Sequence, residues 1–218
     1  MDARTGTGNE AGNDGGLDGL GVPDDVERLW MPHRMAYIKG ENKPVSGEAG
    51  DGCPFCRVPT LDDAGGLIVA RGRLVYAVLN LYPYSPGHLL ICPYRHVADY
   101  TDLDARETME LAAFTQRGMR ALRAATNPHG FNLGMNQGTV AGAGIAAHLH
   151  QHIVPRWGGD ANFMPVIGRT RVLPQLLADT RDTVAEGWAK VEAAEDQEAE
   201  GQAAVGRDPV DHDSATAP

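Results

Sequence analysis

The feature of this chain that most constrains its fold is a short segment in which histidine occupies every second position. Residues 148–155 read HLHQHIVP. Because successive side chains of a β-strand point to opposite faces, this alternation predicts a strand that presents His148, His150 and His152 from one face. Three neighbouring imidazoles are costly to bury without partners, so the pattern indicates a functional site. Such a site could hold a metal ion, or it could place one imidazole as a nucleophile.

The rest of the chain alternates strand-like and helix-like patterns in an order that predicts the fold class. Short apolar or β-branched runs predict strands, and apolar residues at helical spacing predict two amphipathic helices. The predicted strands cover residues 67–70, 74–80, 88–93, 131–136 and 148–155, and the predicted helices cover residues 104–125 and 174–191. The order β-β-β-α-β-β-α favours an α+β fold in which helices pack on one side of an antiparallel sheet.

The acidic charge of the chain is concentrated towards its two ends. The 218 residues carry a formal net charge of −10, and the acidic excess lies in residues 1–25 and 191–218. We therefore predict disordered acidic tails at 1–25 and 191–218, on either side of one domain at 26–190. That domain is nearly neutral, so it is not expected to bind duplex nucleic acid.

Three other features of the sequence bear on the cellular location of the protein. The sequence contains no run of about 18 apolar residues, so it is not expected to cross a membrane. Its N-terminus lacks the basic start and apolar stretch of a secretory signal, which predicts a cytoplasmic protein. The three cysteines, Cys53, Cys56 and Cys92, are an odd number, which argues against a disulfide framework and leaves metal binding or redox chemistry open.

A Gly/Ala loop, GTVAGAGIAA at 138–147, directly precedes the three histidines. Glycines such as Gly142 and Gly144 allow backbone N–H groups to approach a phosphate closely. Beside the histidines, this loop favours a phosphate held against an imidazole over a catalytic metal. Imidazole is largely unprotonated at neutral pH, with a reference pKa of about 6.5, so it can act as the nucleophile.

Three segments resemble the histidine-triad (HIT) superfamily, whose signature is His-x-His-x-His followed by two apolar residues. They are HLHQHIV at 148–154, NLYPYSPGHLLICPYRH at 80–96 and the stretch from Asn136 to His148. The resemblance covers about residues 53–165. It implies a HIT-like fold and a homodimer in which two protomers share one continuous sheet.

The resemblance also implies roles for the histidines. His150 would attack the α-phosphate of a nucleotide and form a nucleotidyl-histidine, which an acceptor then resolves. His152 and His148 would lie beside the phosphate, and His88 would support the nucleophile. These four residues are the catalytic set that the sequence predicts.

The same resemblance implies a set of substrate contacts. Asn80 matches a position that contacts the ribose, and Asn136 matches a polar contact on the phosphate side. Gly142 and Gly144 belong to the phosphate loop. Trp157 either stacks on adenine or packs under the site.

The segment PRWGGDANFMP at 155–165 is similar to the bacterial diadenosine tetraphosphate phosphorylase branch of the superfamily. In that branch inorganic phosphate accepts the nucleotidyl group, which implies release of ADP and ATP. Hydrolysis of dinucleoside polyphosphates or nucleoside phosphoramidates is the alternative of the same class. A nucleotide-binding regulatory protein is an alternative of another class, although binding alone does not require a nucleophile.

The Cys53-x-x-Cys56 pair alone is compatible with zinc binding, redox chemistry or coincidence. It resembles zinc-bearing members of the superfamily, in which a C-x-x-C, a later histidine and the first triad histidine bind the metal. That resemblance implies a structural zinc site made by Cys53, Cys56, His96 and His148. Cys92 lies in a predicted apolar strand and is expected to be a core residue.

Overall fold

The structure, a computed structural model, describes residues 49–50, 52–160 and 175–205. Three predicted segments fall outside the described residues: the acidic tail at 1–25, the beginning of the domain at 26–48, and residues 206–218 of the second tail. Residues 161–174 also fall outside them. Among the helices that the structure does describe, none has the length and apolar character needed to span a membrane.

Five strands form one antiparallel sheet, as the sequence predicts. They are β1 (Ile68–Arg71), β2 (Val75–Leu79), β3 (Leu89–Pro93), β4 (Gly130–Met135) and β5 (Gln151–Arg156). Their order across the sheet is β1-β2-β3-β5-β4, and all four pairings are antiparallel. The predicted ends of the first four strands are correct to within one residue.

The fifth strand begins three residues later than the alternation predicts. It starts at Gln151, so His152 is the one triad histidine that lies within the strand. Leu149 donates its N–H to the carbonyl of Val97, while the last carbonyl of β3, that of Pro93, accepts from the His148 ring at 2.9 Å. Alternation of residue types predicts extended backbone, but it does not predict which groups pair with that backbone.

The long central helix begins within one residue of its predicted start. Helix α1 is a single turn (Pro54–Arg57), and α2 spans Ala105–Thr126. The Asp104 carboxylate accepts the N–H of Glu107 at 2.8 Å, and the Glu107 carboxylate accepts the N–H of Asp104 at 2.9 Å. This reciprocal cap satisfies two backbone donors that a helix start leaves unpaired. The helix ends at Asn127, which adopts the left-handed conformation that terminates helices.

The second long helix extends further along the chain than the sequence predicts. Helix α3 spans Leu177–Val205, so residues 191–205 are helical where a disordered tail was predicted. The physical reason is a contact with α2. Arg117 binds both Glu192 (3.0 Å) and Glu195 (2.6 Å), and Arg120 also binds Glu195. Acidic residues that resemble a solvated tail in the sequence therefore pair with cations of the neighbouring helix.

The two faces of the sheet are covered differently. Helices α2 and α3 pack on one face through Leu111, Phe114, Leu122, Val184 and Trp188, against strand residues such as Ala77, Leu89, Ile91 and Ile153. The prediction that both long helices lie on one side is confirmed. The other face carries Tyr76, Val78, Leu90 and Cys92, and the short helix α1 covers it with Cys53 and Phe55. The histidines face this second side, which α1 covers within the described part of the chain.

Candidate active site and metal-binding cluster

His150 is a buried histidine whose proton position is fixed by the backbone carbonyl of His148. Its Nδ1 lies 2.8 Å from the carbonyl oxygen of His148. A carbonyl only accepts, so Nδ1 carries the proton and Nε2 keeps its lone pair. Burial lowers the pKa of His150 below its usual value of 6.5, because the charged ring loses its hydration. The neutral, nucleophilic form therefore dominates at neutral pH.

His88 and His152 form a hydrogen-bonded pair whose protons follow from their partners. His88 Nδ1 accepts the backbone N–H of Tyr84 at 3.1 Å, and the Asn80 amide nitrogen lies 3.3 Å from the same atom. A ring nitrogen that accepts a backbone N–H carries no proton, so the proton of neutral His88 is on Nε2. That nitrogen lies 2.8 Å from His152 Nδ1 and donates to it.

The proton of neutral His152 is consequently on Nε2, which faces the site. Among the described residues this buried Nε2 has no hydrogen-bond partner. A buried donor without a partner is costly, and such exceptions are concentrated where a ligand is to be bound. Burial, with a smaller contribution from neighbouring His150, lowers the pKa of His152 to about 4. The site thus offers one imidazole lone pair and one imidazole N–H, on rings whose centroids are 5.0 Å apart.

Two aromatic rings that were not predicted as site residues contact these histidines. Phe55 of α1 packs against His150, with ring centroids 4.8 Å apart, and against His148 at 5.6 Å. Tyr84 packs against His88 at 4.8 Å and stacks near His152 at 6.0 Å. Phe55 lies within the C-x-x-C motif and Tyr84 lies four residues before His88. Their closeness in the sequence to predicted site residues is the one signal that could have identified these two aromatic residues.

Cys53, Cys56, His96 and His148 come together in a cluster that could hold a metal ion, because one potential ligand atom from each lies within 4.8 Å of all the others. The Nδ1 of His148 is 3.4 Å from Cys53 Sγ and 3.6 Å from Cys56 Sγ, and His96 Nδ1 is 3.3 Å from Cys56 Sγ. These values match the edges of a tetrahedron, about 3.3–3.8 Å, when the bonds to its centre are about 2.0–2.3 Å. The sequence predicted all four members.

His148 connects the metal-binding cluster to the nucleophile. Its Nδ1 faces the two thiols, and its Nε2 donates to the carbonyl of Pro93 at 2.9 Å. A histidine that ligates metal through one nitrogen typically donates the other N–H in this way. The carbonyl of the same residue holds the ring of His150. The position of His148 therefore bears directly on the orientation of the His150 ring.

Cys92 is a core residue, as predicted. It is fully buried in β3 on the same face as Tyr76. Burial raises the pKa of the Cys92 thiol well above its usual value. It is not part of the four-residue cluster.

Of the predicted substrate contacts, Asn80 is beside a site histidine, because its amide nitrogen lies 3.3 Å from His88 Nδ1. Asn80 follows β2, and its side-chain oxygen also accepts the N–H of Tyr82 at 3.0 Å. Asn136 follows β4 and is half-buried, and Trp157 follows β5 and is half-exposed. Gly142 has a positive φ of 82° and ends a short 3-10 turn at Thr139–Ala141. In the described part of the chain, the backbone N–H groups of residues 143–147 donate to no acceptor.

The chain belongs to the HIT family. A family model described as "HIT domain" matches residues 65–159. A protein of Mycobacterium tuberculosis named AP-4-A phosphorylase is 52% identical over 174 residues, which are 79% of this chain and 89% of that relative. The resemblance drawn from the sequence is thereby confirmed.

Solved structures of the same family share the fold. A Zn-bound histidine triad family protein from Mycobacterium smegmatis is 26% identical with a TM-score of 0.53, and the match covers 65% of this chain and 96% of that one. A hypothetical histidine triad nucleotide-binding protein from Sulfolobus tokodaii strain 7 is 28% identical with a TM-score of 0.54, over 64% of this chain and 94% of that one. These likenesses support the HIT-like α+β fold that the sequence predicts.

Proposed function

We propose that this protein is an enzyme that phosphorolyses diadenosine tetraphosphate to ADP and ATP through an adenylyl-His150 intermediate. The observation that carries the proposal is the complementary state of two neighbouring rings. His150 has a free lone pair on Nε2, and His152 has a buried N–H without a partner among the described residues. The relative that is named AP-4-A phosphorylase supports the choice of substrate.

In the first step, His150 Nε2 attacks the α-phosphorus of one adenylyl group. The new N–P bond forms as the bond from that phosphorus to the bridging oxygen breaks, and ATP leaves. The Nε2–H of His152 donates to the bridging or a non-bridging oxygen, where negative charge develops. His88 holds His152 in the tautomer that can do so, because its own Nε2–H occupies His152 Nδ1.

In the second step, an oxygen of inorganic phosphate attacks the same phosphorus. The N–P bond breaks, His150 regains its lone pair, and ADP leaves. Splitting one displacement into two easier ones is the usual benefit of a covalent intermediate. The N–H groups of residues 143–147 are available to bind phosphoryl oxygens in both steps.

The remaining substrate contacts are proposed on the same basis. Gly142 and Gly144 shape the phosphate loop, and Asn136 lies at its start as a polar phosphate contact. Asn80 is proposed to contact the ribose while its amide stays beside His88. Trp157, half-exposed after β5, is proposed to stack on the adenine of the transferred group.

We also propose that Cys53, Cys56, His96 and His148 bind zinc. Two thiols and two imidazoles at tetrahedral spacing suit this ion, and the His148 N–H to Pro93 supplies the expected outer contact. Zinc held by four protein ligands supplies a structural cross-link and no open position for substrate. The M. smegmatis relative, which is Zn-bound, supports this choice of metal.

We further propose that the protein is a cytoplasmic homodimer that joins two sheets along β4. β4 lies at one end of the strand order, and its residues Asn132, Leu133 and Gly134 are exposed. An exposed edge strand offers unpaired backbone groups to a second chain. Cys53, Cys56 and Cys92 carry free thiols, which suits a reducing compartment.

The test is to incubate the purified protein with diadenosine tetraphosphate, with and without inorganic phosphate, and to identify the nucleotide products. ADP plus ATP, formed only when phosphate is present, is the expected result. AMP plus ATP formed without phosphate would replace phosphorolysis by hydrolysis. If neither this substrate nor a nucleoside phosphoramidate is turned over, the protein is a nucleotide-binding protein and the proposal is wrong.

His150→Asn tests the intermediate itself. We expect kcat to fall by at least about 10⁴-fold, because no other described group replaces the lone pair of His150 Nε2. Rapid denaturation of the wild type during turnover should trap one labelled adenylyl group per chain, and the variant should trap none. Turnover that survives in the variant would rule out the covalent route.

A further inference from the structure

The loop between β2 and β3 exposes three large apolar side chains that the proposed transfer does not use. Leu81 is 59% exposed, Tyr82 is 80% exposed and Tyr84 is 51% exposed. Single exposed apolar residues are common on protein surfaces, but adjoining ones beside a functional site mark a binding surface. Their position beside the histidines therefore indicates a surface that binds a ligand.

This loop is held in place by its polar groups. The backbone N–H of Tyr82 donates to Asn80 at 3.0 Å, and that of Tyr84 donates to His88 at 3.1 Å. The Ser85 hydroxyl donates to the carbonyl of Pro155 in β5 at 2.8 Å. These bonds tie both ends of the loop to the sheet, so its aromatic rings are presented from a fixed backbone.

The loop adjoins the two histidines, His88 and His152, that would serve the oxygens of the departing nucleotide. The ring of Tyr84 packs against His88 and stacks near His152. In the proposed mechanism, His150 attacks the phosphorus and His152 serves the oxygens on the other side. A phosphate chain that passes His152 would therefore come close to Tyr84, whose ring centroid lies 6.0 Å from that of His152.

Tyr82 is the next aromatic ring along that path. Its Cα lies at most about 7 Å from that of Tyr84, because two residues separate no further than that along an extended chain. Within the described residues, the side chain of Tyr82 makes no hydrogen bond and no ring contact. A triphosphate and a ribose separate the departing base from the attacked phosphorus, so that base must lie beyond His152.

We propose that Tyr82 and Tyr84 form a stacking platform for the base of the departing nucleotide. This proposal rests on the proposed function. It adds that the platform selects substrates with a nucleoside at both ends of the phosphate chain. Aromatic rings stack with any nucleobase through its π-face. The ligand is therefore a dinucleoside polyphosphate, and the second base need not be adenine.

Binding to a protein without the nucleophile tests the platform separately from turnover. In the His150→Asn background, equilibrium dialysis measures Kd for diadenosine tetraphosphate and for adenosine 5′-tetraphosphate. The two ligands have four phosphates each, and the second lacks the departing nucleoside. Tyr82→Ala removes the ring, Tyr82→Leu keeps an apolar side chain without a flat face, and Tyr82→Phe keeps the face. Met109→Ala, at a position 65% exposed on α2, is the control for loss of an exposed apolar side chain.

We expect Tyr82→Ala to raise Kd for diadenosine tetraphosphate about tenfold, the loss expected for one stacked base. Tyr82→Leu should lose nearly as much, while Tyr82→Phe and Met109→Ala should stay within twofold of the parent. Kd for adenosine 5′-tetraphosphate should not change in any variant. Equal changes for both ligands, or no change for either, would overturn the platform.

Two parallel measurements separate this proposal from its alternatives. Sedimentation of Tyr82→Ala should give the same mass as the parent; a smaller mass would assign the loop to a contact between copies and overturn the platform. The product assay on the wild type tests phosphorolysis independently. Failure of that assay alone refutes the proposed reaction, whereas loss of the Kd pattern alone refutes the platform.

Discussion

At the scale of single residues, the site is defined by where its protons lie. The carbonyl of His148 fixes one proton on His150 Nδ1, and the N–H of Tyr84 keeps His88 Nδ1 unprotonated. The consequence is a directional chain of hydrogen bonds that ends on the N–H of His152. The adjoining rings therefore differ in function although they are the same residue type.

His88→Phe should break this chain while keeping a flat buried side chain. His152 Nδ1 and the Tyr84 N–H both lose their partner, so the tautomer of His152 is no longer fixed. We expect kcat for phosphorolysis to fall about 100-fold, at the lower end of what a positioned proton donor contributes. Stopped-flow measurement of the first product burst would follow the adenylylation step directly.

His88→Gln is the matched variant, because its amide can accept from Tyr84 and donate to His152. It should retain several-fold more activity than His88→Phe. If the two variants are equally slow, the tautomer chain does not control the reaction. If His88→Phe is as fast as the wild type, His88 has no part in it.

Sequence reasoning identified the histidines but not their states. The spacing of His148, His150 and His152 is visible in the chain, and the family resemblance implies a role for each of them by its position. The proton positions depend on two backbone groups, the His148 carbonyl and the Tyr84 N–H, which any residue type could supply. A pattern of side chains therefore predicts the members of the site and leaves their tautomers unknown.

The low pKa of His152 makes stability depend on pH. Burial lowers this pKa from 6.5 to about 4 in the folded protein, while the unfolded chain keeps the usual value. Between these values the unfolded state binds a proton that the folded state does not, so the free energy of unfolding decreases as the pH falls from about 6.5 towards 4. Above pH 6.5 the contribution of His152 to the free energy of unfolding is fully present and no longer changes with pH.

Urea denaturation at pH 7.5, 6.5, 5.5 and 4.5 measures this dependence. His152→Phe, which cannot titrate, should show a shallower loss of stability across the lower three values. The difference in slope between the two proteins isolates His152 from the other groups. Equal slopes would mean that the pKa of His152 is not lowered by folding.

At the scale of secondary-structure elements, the four-residue cluster joins the short helix α1 to the segments beside two paired strands of the sheet. Cys53 precedes α1 as its N-cap, Cys56 lies within α1, His96 follows β3, and His148 precedes β5. The covering of this sheet face by α1 therefore depends on the cluster as well as on Phe55. This arrangement predicts that metal removal affects the fold and the orientation of His150 together.

Cys56→Ser should lower both metal content and thermal stability. We expect about one zinc per chain in the wild type and much less in the variant, by elemental analysis. The loss of a structural metal should cost at least about 3 kcal/mol, or roughly 6–12 °C in Tm for a chain of this size. Chelation of the wild type should reproduce this shift, and returned zinc should reverse it.

Cys92→Ala is the control, because Cys92 is a buried cysteine outside the cluster. It should keep its metal while losing some packing. If Cys56→Ser binds as much zinc as the wild type, the metal is held elsewhere or by fewer ligands. If no preparation contains metal and chelators have no effect, the zinc proposal is wrong.

The elements that sequence predicted well are those specified by local signals. Helix α2 has a capping residue at Asp104 and a stop at Asn127, and both predicted ends are correct to within one residue. Helix α3 lacks such a stop after residue 191, and its last turns pair with Arg117 of another helix. Because that pairing is tertiary, composition alone predicted an acidic tail there.

At the scale of the whole molecule, one face of the sheet carries the apolar core and the other carries the candidate active site. One face packs on α2 and α3 in an apolar core, and the other carries the histidines under α1. The alternation along β5 makes this division possible, since Ile153 enters the core while His152 faces the site. Strand periodicity predicted the division, but it could not predict that Phe55 and Tyr84 would close around the rings.

The last prediction concerns β4, the edge strand of the sheet that the described residues form. β4 is paired with β5 on one side, and Leu133 is 48% exposed. Sedimentation of the wild type should therefore give twice the chain mass of 23.3 kDa or a multiple of it. Leu133→Lys adds the charge that natural edge strands use against pairing, and it should shift the mass towards the monomer. Met109→Lys, on the exposed side of α2, should leave the mass unchanged. A wild-type monomer, or a dimer indifferent to Leu133→Lys, would exclude a sheet continued through β4.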